Sequence, residues 1–180
     1  EDGDGIPTEP RPMVLLVHGG PWARNSYGFD SIQQLLANRG YAVLQPNYRG
    51  SGGYGDAFFE LGTGQIGRAM QDDLDDAMDW AVAEGLADPK RVCVVGGSYG
   101  GYAAIFAVLR NPERYACAAS WAGVTDFDRI LRYDRSFFSR AGFKRWREKV
   151  RGQGVQDMKH VSPLERAASL SRPLLLAHGT

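Results

Sequence analysis

Short, almost wholly apolar runs alternate with stretches of helical periodicity along this chain. The five apolar runs lie at residues 13–17, 41–45, 92–96, 115–120 and 174–177. Strands buried on both faces of a sheet have such continuous apolar sequences, whereas half-exposed strands alternate apolar and polar residues. The alternation of strands with helices predicts an α/β fold, in which helices flank a doubly wound, mostly parallel sheet.

Two helices are predicted between these runs, and one of them has an acidic face. Small and apolar residues recur at three- and four-residue steps from Ala69 to Val82, which is the buried stripe of an amphipathic helix. The other face carries aspartates, which we interpret as a solvated surface and not as a metal site: Asp72, Asp73, Asp75, Asp76 and Asp79. A second helix is predicted from Gly100 to Leu109, ahead of Asn111-Pro112.

The segment from Phe127 to His160 shows no clear period and is rich in arginine and aromatic residues. We expect a long irregular segment that packs over the mouth of a site. The tetrapeptide Ser162-Pro163-Leu164-Glu165 is typical of a helix start, in which Ser162 is the cap and Pro163 lies in the first turn.

Composition narrows the classes of function. Lys and Arg together number 21, as do Asp and Glu, so the chain has no net charge with which to attract nucleic acid or an anionic membrane. No apolar run approaches the roughly 20 residues that span a bilayer. Cys93 and Cys117 each lie in a short apolar run, which favours buried free thiols in a reducing compartment and hence a cytoplasmic protein. We expect neither a metal nor a cofactor.

The motif with the most chemical content is Gly96-Gly97-Ser98-Tyr99-Gly100-Gly101, between the third apolar run and the second predicted helix. It fits the pattern G-x-S-x-G at a sharp strand-to-helix turn, where glycines avoid clashes and the serine hydroxyl is raised above the sheet. The helix that follows points its positive end at developing negative charge. We interpret Ser98 as a nucleophile. The alternative, a phosphate-binding turn, lacks the lysine that a P-loop requires.

The tetrapeptide His18-Gly19-Gly20-Pro21 follows the first apolar run and has the character of an oxyanion loop. Acyl-transfer enzymes with this kind of strand-to-helix turn take one oxyanion N–H from the residue after the nucleophile and another from such a loop. Because Pro21 has no N–H, the predicted donors are Gly20 and Tyr99. A plain tight turn is the alternative interpretation.

Four segments resemble, in order, the catalytic domain of the prolyl oligopeptidase family of serine peptidases. They are His18 to Pro21, Asn47 to Gly55, Gly96 to Gly101 and Leu176 to Thr180. The similarity is greatest to the acylaminoacyl-peptidases and the dipeptidyl-peptidase-like members. It implies an α/β-hydrolase fold with strand order 2-1-3-4-5, a peptide substrate, and a β-propeller domain upstream in the parent chain. It also implies that Asn47 to Gly55 shapes the rim of the active site.

The resemblance further implies that the segment beginning at Phe127 contributes apolar walls to the primary specificity pocket. We expect Phe127 and Ile130, one helical turn apart, to face the cleft beside Ser98. The competing interpretation makes both of them ordinary core residues.

A serine nucleophile requires a histidine base and an orienting acid, in the order Ser, acid, His on this fold. The resemblance places the acid shortly after Thr180 and the histidine some tens of residues later, and it makes His178 part of the segment that leads to the acid. His18 belongs to the oxyanion loop, and we expect His160 at the surface.

Asp126 is an alternative acid, because it follows the fourth predicted strand. It is opposed by the interpretation that Thr125 or Asp126 caps a helix beginning near Phe127. The polar start of the chain and the strand that runs into its end predict that residues 1–180 are a single α/β-hydrolase catalytic domain cut at both ends. We expect the 180 residues alone to hydrolyse p-nitrophenyl esters little better than buffer.

The predicted function is therefore that of a serine peptidase in the full-length parent, which cleaves short peptides through an acyl-enzyme on Ser98. A carboxylesterase or lipase has the same turn and oxyanion loop and is the first alternative. A non-catalytic binding module of the same fold is the second.

Overall fold

Five parallel strands form one sheet in the order β2-β1-β3-β4-β5. The computed structural model describes residues 7–153 and 157–179. Its strands are β1 (Arg11–Val17), β2 (Ala42–Leu44), β3 (Ala87–Gly97), β4 (Cys117–Trp121) and β5 (Leu174–Ala177). The predicted α/β class and the predicted strand order are confirmed.

The edge strand β5 differs from its expected burial. Its apolar sequence predicts a strand covered on both faces, but Leu175 is 68% exposed and Leu176 is 60% exposed. Within the part of the chain that the structure describes, β5 is an edge strand whose only extensive contact is with β4, so the faces of β5 are left largely uncovered.

In the part of the chain that the structure describes, six α-helices connect the strands. They are α1 (Ser31–Asn38), α2 (Asp56–Glu60), α3 (Ala69–Ala83), α4 (Tyr99–Arg110), α5 (Phe127–Asp134) and α6 (Arg140–Arg151), and short 3-10 helices follow at Lys159–Val161 and Pro163–Ser169. Helices α3 and α4 lie where the periodicity predicts them. Among the residues described, no helix is both long enough and apolar enough to cross a bilayer.

Helices α5 and α6 correct the expectation of an irregular segment from Phe127 to His160. The apolar residues of α6 do recur at helical steps, at Phe143, Trp146 and Val150, but arginine and lysine fill the positions between them. That dense charge hides the period when the sequence is read alone. Residues 154–156 of the segment lie outside the described residues, as does Thr180 of the closing motif.

Helix α4 is the centre of the core. Every residue from Tyr99 to Leu109 is buried, because the helix packs on β3 and β4 and is covered on its other side by further elements, including the last 3-10 helix. The largest buried side chains around it include Tyr102, Met70 and Leu74. A helix that is buried all round must be apolar all round, and this one is.

The acidic face of α3 is solvated in part, since Asp76 and Asp79 are exposed, but most of its aspartates also pair with side chains from other elements. Asp73 accepts both Nε of Arg49 at 2.8 Å and its backbone N–H at 2.8 Å, and Asp79 accepts two bonds from Arg114. Asp72 pairs with Arg110. These partners come from elements distant in sequence, which periodicity does not reveal.

Asp75 is the buried member of this acidic face. It accepts the Tyr115 hydroxyl at 2.5 Å and the Asn111 side-chain amide at 2.7 Å. Burial raises the pKa of Asp75, and the bond from Tyr115 opposes that rise. The aspartates of α3 thus attach the helix to the segment between α4 and β4. Across residues 7–153 and 157–179, no three His, Cys, Asp or Glu side chains are grouped to hold a metal ion.

Cys93 and Cys117 form a disulfide, so the expectation of two free thiols is wrong. The register pairs Cys93 of β3 directly with Cys117 of β4, and their Cα atoms are 4.7 Å apart. Disulfides require Cα atoms about 4.4–6.8 Å apart, a condition that adjacent strands meet. The expectation of a cytoplasmic protein rested on free thiols, so the disulfide removes its support.

Removing this disulfide should destabilise the protein. The bond closes a loop with a sequence separation of 24 residues, for which the chain-entropy relation gives about 3.5 kcal/mol of stabilisation. We expect Cys93→Ser together with Cys117→Ser to lower the free energy of unfolding by about that amount, measured by urea denaturation. Mass spectrometry of a non-reduced digest should find the two cysteine peptides joined, and alkylation of both thiols without reductant would contradict this prediction.

Candidate active site

Ser98 lies at the turn between β3 and α4 with a strained backbone. Its φ is 56° and its ψ is −120°, a combination that non-glycine residues rarely adopt. Its backbone N–H donates to the Trp121 carbonyl oxygen at 3.0 Å, which ties the turn to the end of β4. A serine held in this way at a strand-to-helix turn has the form of a nucleophile elbow.

Close packing around the turn explains its glycines. A Cβ on Gly100 would lie 2.0 Å from the carbonyl oxygen of Val17, and one on Gly96 would lie 2.5 Å from the backbone of Gly100. The first turn of α4 therefore rests directly on the last residue of β1. Any side chain at Gly100 would push these two elements apart.

This contact brings the His18 to Pro21 loop beside Ser98. A Cβ on Gly19 would lie 3.5 Å from the Cβ of Ser98. Among the described residues, neither the Gly20 N–H nor the Tyr99 N–H donates to a backbone carbonyl or a side chain. Tyr99 is the first residue of α4, where the N–H groups have no partner within the helix. That the two N–H groups converge on an oxyanion stays a prediction.

An apolar cavity of about 170 Å³ opens on one side of Ser98. Phe127 and Ile130 both line it, together with residues from several other parts of the chain: Gly20, Pro21, Ile66, Tyr99, Val124, Trp146 and Val150. Phe127 also belongs to the core, because its ring packs edge-on against Tyr102 with 4.7 Å between centroids. The two interpretations of Phe127 are therefore compatible.

Trp146 and Val150 are wall residues that sequence reasoning missed. They lie four residues apart on α6, so one face of that helix carries both. The Trp146 indole N–H donates to Asp134 at 2.9 Å, and its ring contacts Phe138 and Trp22. The four-residue spacing of Trp146 and Val150 is the sequence signal that could have indicated a shared helix face.

Ser162 lies at the N-cap position of the 3-10 helix Pro163–Ser169, as predicted, although its hydroxyl bonds to the start of α5 and not to that helix. Its hydroxyl oxygen accepts the Phe127 N–H at 3.1 Å and donates to the Met158 carbonyl at 2.8 Å, and it makes no capping bond. Asp126 is the cap of α5, since its carboxylate accepts the Arg129 N–H at 2.9 Å. The capping interpretation of Asp126 is confirmed, and this carboxylate is already occupied.

A second, more open cavity of about 410 Å³ lies on the other side of Ser98. Its walls come from the ends of β1, β3 and β4 and from α1, and they include His18, Gln45, Ser98, Trp121 and Ala122. Ser98 therefore stands between a small apolar pocket and a wider cleft at the carboxyl ends of the strands. In open parallel sheets this edge is where ligands bind.

The three histidines have different surroundings. The His18 ring lies with Nε2 2.9 Å from the Ser51 hydroxyl oxygen and Nδ1 2.8 Å from the Gly19 carbonyl oxygen. His160 has an 86% exposed side chain, as expected, and approaches only Asp157. His178 is exposed after β5. Within the described residues, the structure shows no His side chain bonded to Ser98.

A comparison with known families decides the relationship. The family model described as "Prolyl oligopeptidase family" matches residues 27–180. The chain belongs to the prolyl oligopeptidase family.

Individual relatives agree with this membership. The chain is 42% identical to dipeptidyl aminopeptidase BIII of Pseudoxanthomonas mexicana over 99% of its length and 26% of that protein. It is 30% identical to the acylamino-acid-releasing enzyme of Arabidopsis thaliana over 94% of its length and 23% of that protein. The chain spans about a quarter of the length of these relatives.

Solved structures show the same α/β-hydrolase fold. A puromycin-hydrolyzing peptidase of Mycobacterium tuberculosis superposes with a TM-score of 0.83 at 30% identity, covering 96% of this chain and 26% of that one. The acylaminoacyl peptidase of Pyrococcus horikoshii gives a TM-score of 0.78 at 28% identity, covering 95% of this chain and 28% of that one.

In this prolyl oligopeptidase family chain, the Asn47 to Gly55 segment braces the residues that follow the His18 to Pro21 loop. The Gly52 N–H donates to the Ala23 carbonyl oxygen at 2.9 Å, and the Asn47 side chain accepts the Asn25 N–H at 2.7 Å. These bonds attach the segment to the residues just after Pro21. The segment therefore supports the loop from outside.

Gly100→Ala should damage both stability and activity, since the added methyl group collides with the Val17 carbonyl oxygen. We expect the free energy of unfolding to fall by about 2 kcal/mol or more, in the range of overpacking. Gly142→Ala in α6 is the matched control, because its new methyl group would approach only side-chain atoms at 3.2 Å or more. Equal stability of the two variants in urea denaturation would contradict the proposed contact.

Proposed function

We propose that the protein carrying this chain is a serine peptidase that hydrolyses short peptides through an acyl-enzyme on Ser98. The observation that carries the proposal is the meeting of Ser98, Gly20 and Tyr99 on the wall of one apolar cavity. A nucleophile, two backbone donors and a pocket for a substrate side chain are the components that acyl transfer requires.

The proposed reaction begins when the Ser98 hydroxyl oxygen attacks the scissile carbonyl carbon. As the tetrahedral intermediate forms, negative charge builds on the carbonyl oxygen, and the N–H groups of Gly20 and Tyr99 stabilise it. The N-terminus of α4 adds its positive dipole end at the same point. The proton of the Ser98 hydroxyl passes to the histidine base of the parent protein and from it to the leaving nitrogen, so the C–N bond breaks, the amine departs and an ester remains on Ser98. Water then hydrolyses that ester and restores the Ser98 hydroxyl.

The histidine base and its acid are proposed to come from the remainder of the parent protein. The three histidines described here do not bond to Ser98, and Asp126 caps α5. Because the chain spans about a quarter of its relatives, most of the parent's sequence lies elsewhere. We place a β-propeller upstream in that parent, as the family resemblance implies.

An apolar side chain beside the scissile bond is the proposed substrate preference. The wall formed by Val124, Phe127, Ile130, Trp146 and Val150 offers no charged group, so a charged substrate side chain would lose its hydration without compensation. The relatives' names indicate dipeptide release and acylamino-acid release for those proteins. Both are peptide hydrolysis, which favours a peptidase over an esterase.

The disulfide bears on the cellular compartment of the protein. A cytoplasmic location stays a prediction, and the disulfide of Cys93 with Cys117 favours an oxidising compartment instead.

Ser98→Ala in the parent protein should abolish peptide hydrolysis, because the nucleophilic oxygen is removed. We expect kcat to fall by about 10⁴-fold or more, as with other triad nucleophiles. A fluorophosphonate probe should label the wild type at Ser98, and Ser169→Ala, at an exposed serine, is the matched control. Retained cleavage of aminoacyl p-nitroanilides by Ser98→Ala would refute the assignment. Cleavage of p-nitrophenyl esters but no amides by the wild type would favour the esterase.

Ile130→Phe should change which substrates are cut, because the larger ring fills the apolar cavity. We expect the ratio of kcat/KM for a phenylalanyl over an alanyl p-nitroanilide to fall about 10-fold or more. Leu170→Phe, at a partly exposed leucine away from the cavity, is the control and should keep the wild-type ratio. A uniform loss for both substrates would make Ile130 a core residue only.

A further inference from the structure

We propose that His18 is a positioning residue, whose Nδ1–H holds the Gly19 carbonyl and thereby aims the Gly20 N–H at the oxyanion. The inference rests on the proposed function, in which that N–H is one of the two oxyanion donors. It gives a task to His18, a half-buried histidine beside the candidate site that the proposed reaction does not use as a base.

The Gly19 carbonyl and the Gly20 N–H are linked covalently, so one cannot turn without the other. The Gly19 carbonyl and the Gly20 N–H belong to one peptide unit, which is planar, so the direction of the C=O fixes the direction of the N–H. The His18 Nδ1 lies 2.8 Å from the Gly19 carbonyl oxygen. Gly19 and Gly20 have no side chains to restrict this unit, and Gly20 has a φ of +119° that few other residues adopt. The unit needs an external restraint.

The ring that supplies the restraint is itself fixed. It stacks on Tyr48 with 4.3 Å between ring centroids and 12° between planes. Its Nε2 lies 2.9 Å from the hydroxyl oxygen of Ser51, a residue that is completely buried. The Tyr48 hydroxyl donates to the His18 carbonyl oxygen at 2.9 Å, which holds the preceding peptide unit as well. Both peptide units that flank Gly19 are thus tied to one aromatic pair.

The arrangement requires the proton of a neutral ring to be on Nδ1, because a carbonyl oxygen is only an acceptor. Burial lowers the pKa of His18, so the ring is neutral near pH 7. The Ser51 hydroxyl lies 2.6 Å from the Tyr48 carbonyl oxygen and 2.9 Å from Nε2, so its single proton is shared between two acceptors. With both ring nitrogens engaged, His18 is not available to take a proton from Ser98.

Replacing His18 by asparagine or glutamine distinguishes the positioning role from a merely structural one. Asparagine places an N–H near the position of Nδ1, whereas glutamine places one near the position of Nε2. We expect His18→Gln to lower kcat about 30-fold with little change in KM, a smaller effect than the 10²–10³-fold loss of an oxyanion donor. We expect His18→Asn to stay within about 5-fold of the wild-type kcat, since it still restrains the Gly19 carbonyl.

The experiment measures kcat, KM and melting temperature of these variants in the parent protein, with His160→Gln as the control at an exposed histidine. A peptide aldehyde, whose adduct with Ser98 carries the oxyanion, should lose affinity in His18→Gln by the same factor as kcat/KM. Equal loss of kcat in His18→Asn and His18→Gln at equal melting temperatures would overturn the proposal.

If His18→Asn does not fold, Ser51→Ala provides a second test of the proposal. Ser51→Ala removes the partner of Nε2 and leaves the Nδ1 bond, so kcat should fall less than about 3-fold. A loss as large as that of His18→Gln would overturn the proposal. Failure of the fluorophosphonate to label Ser98 would instead refute the proposed function, so the two outcomes are distinguishable.

Discussion

The close approach of α4 to the end of β1 is the constraint on which the rest of the site depends. Gly100 has no room for a Cβ, because the Val17 carbonyl oxygen occupies that space. The contact sets the N-terminus of α4 beside the loop after β1, so Ser98, Tyr99 and Gly20 come to one cavity wall. The strained backbone of Ser98 is tolerated because α4 and the central strands are buried around it.

Different hydrogen bonds and packing contacts fix the side chains on the two sides of this contact. On one side, Ser162 holds the first residue of α5, while the Trp146 indole bonds to Asp134, so the pocket walls are fixed by hydrogen bonds as well as by packing. On the other side, Ser51 and Tyr48 hold the ring of His18. The proposed acyl transfer would need such support, because catalytic groups must be held in their productive geometry.

Polar groups that contribute no chemistry to the site nevertheless hold the domain together. The aspartates of α3 bond to Arg49, Arg110 and Arg114, and the buried Asp75 bonds to Tyr115. Arg49 begins the turn that carries Ser51, so its bond with Asp73 connects α3 to the segment behind the oxyanion loop. The disulfide joins β3 and β4, the two strands whose ends meet at Ser98.

The sequence by itself determined the strands, the two central helices, the strand order through the family resemblance, and the residues of the turn at Ser98. The strands, the helices and the turn depend on local signals, which are apolar runs, helical periodicity and glycines at a sharp turn. Only the tertiary structure decided which distant groups meet. Cys93 reaches Cys117 because β3 and β4 are neighbours in that register, and Trp146 reaches the pocket because α6 folds back over Ser98. The aspartates of α3 bond to arginines, and His18 contacts Ser51, because the fold brings these distant segments together. Contacts between residues far apart in the chain leave no periodicity in the sequence, so they become visible only when the sheet and its helices are assembled.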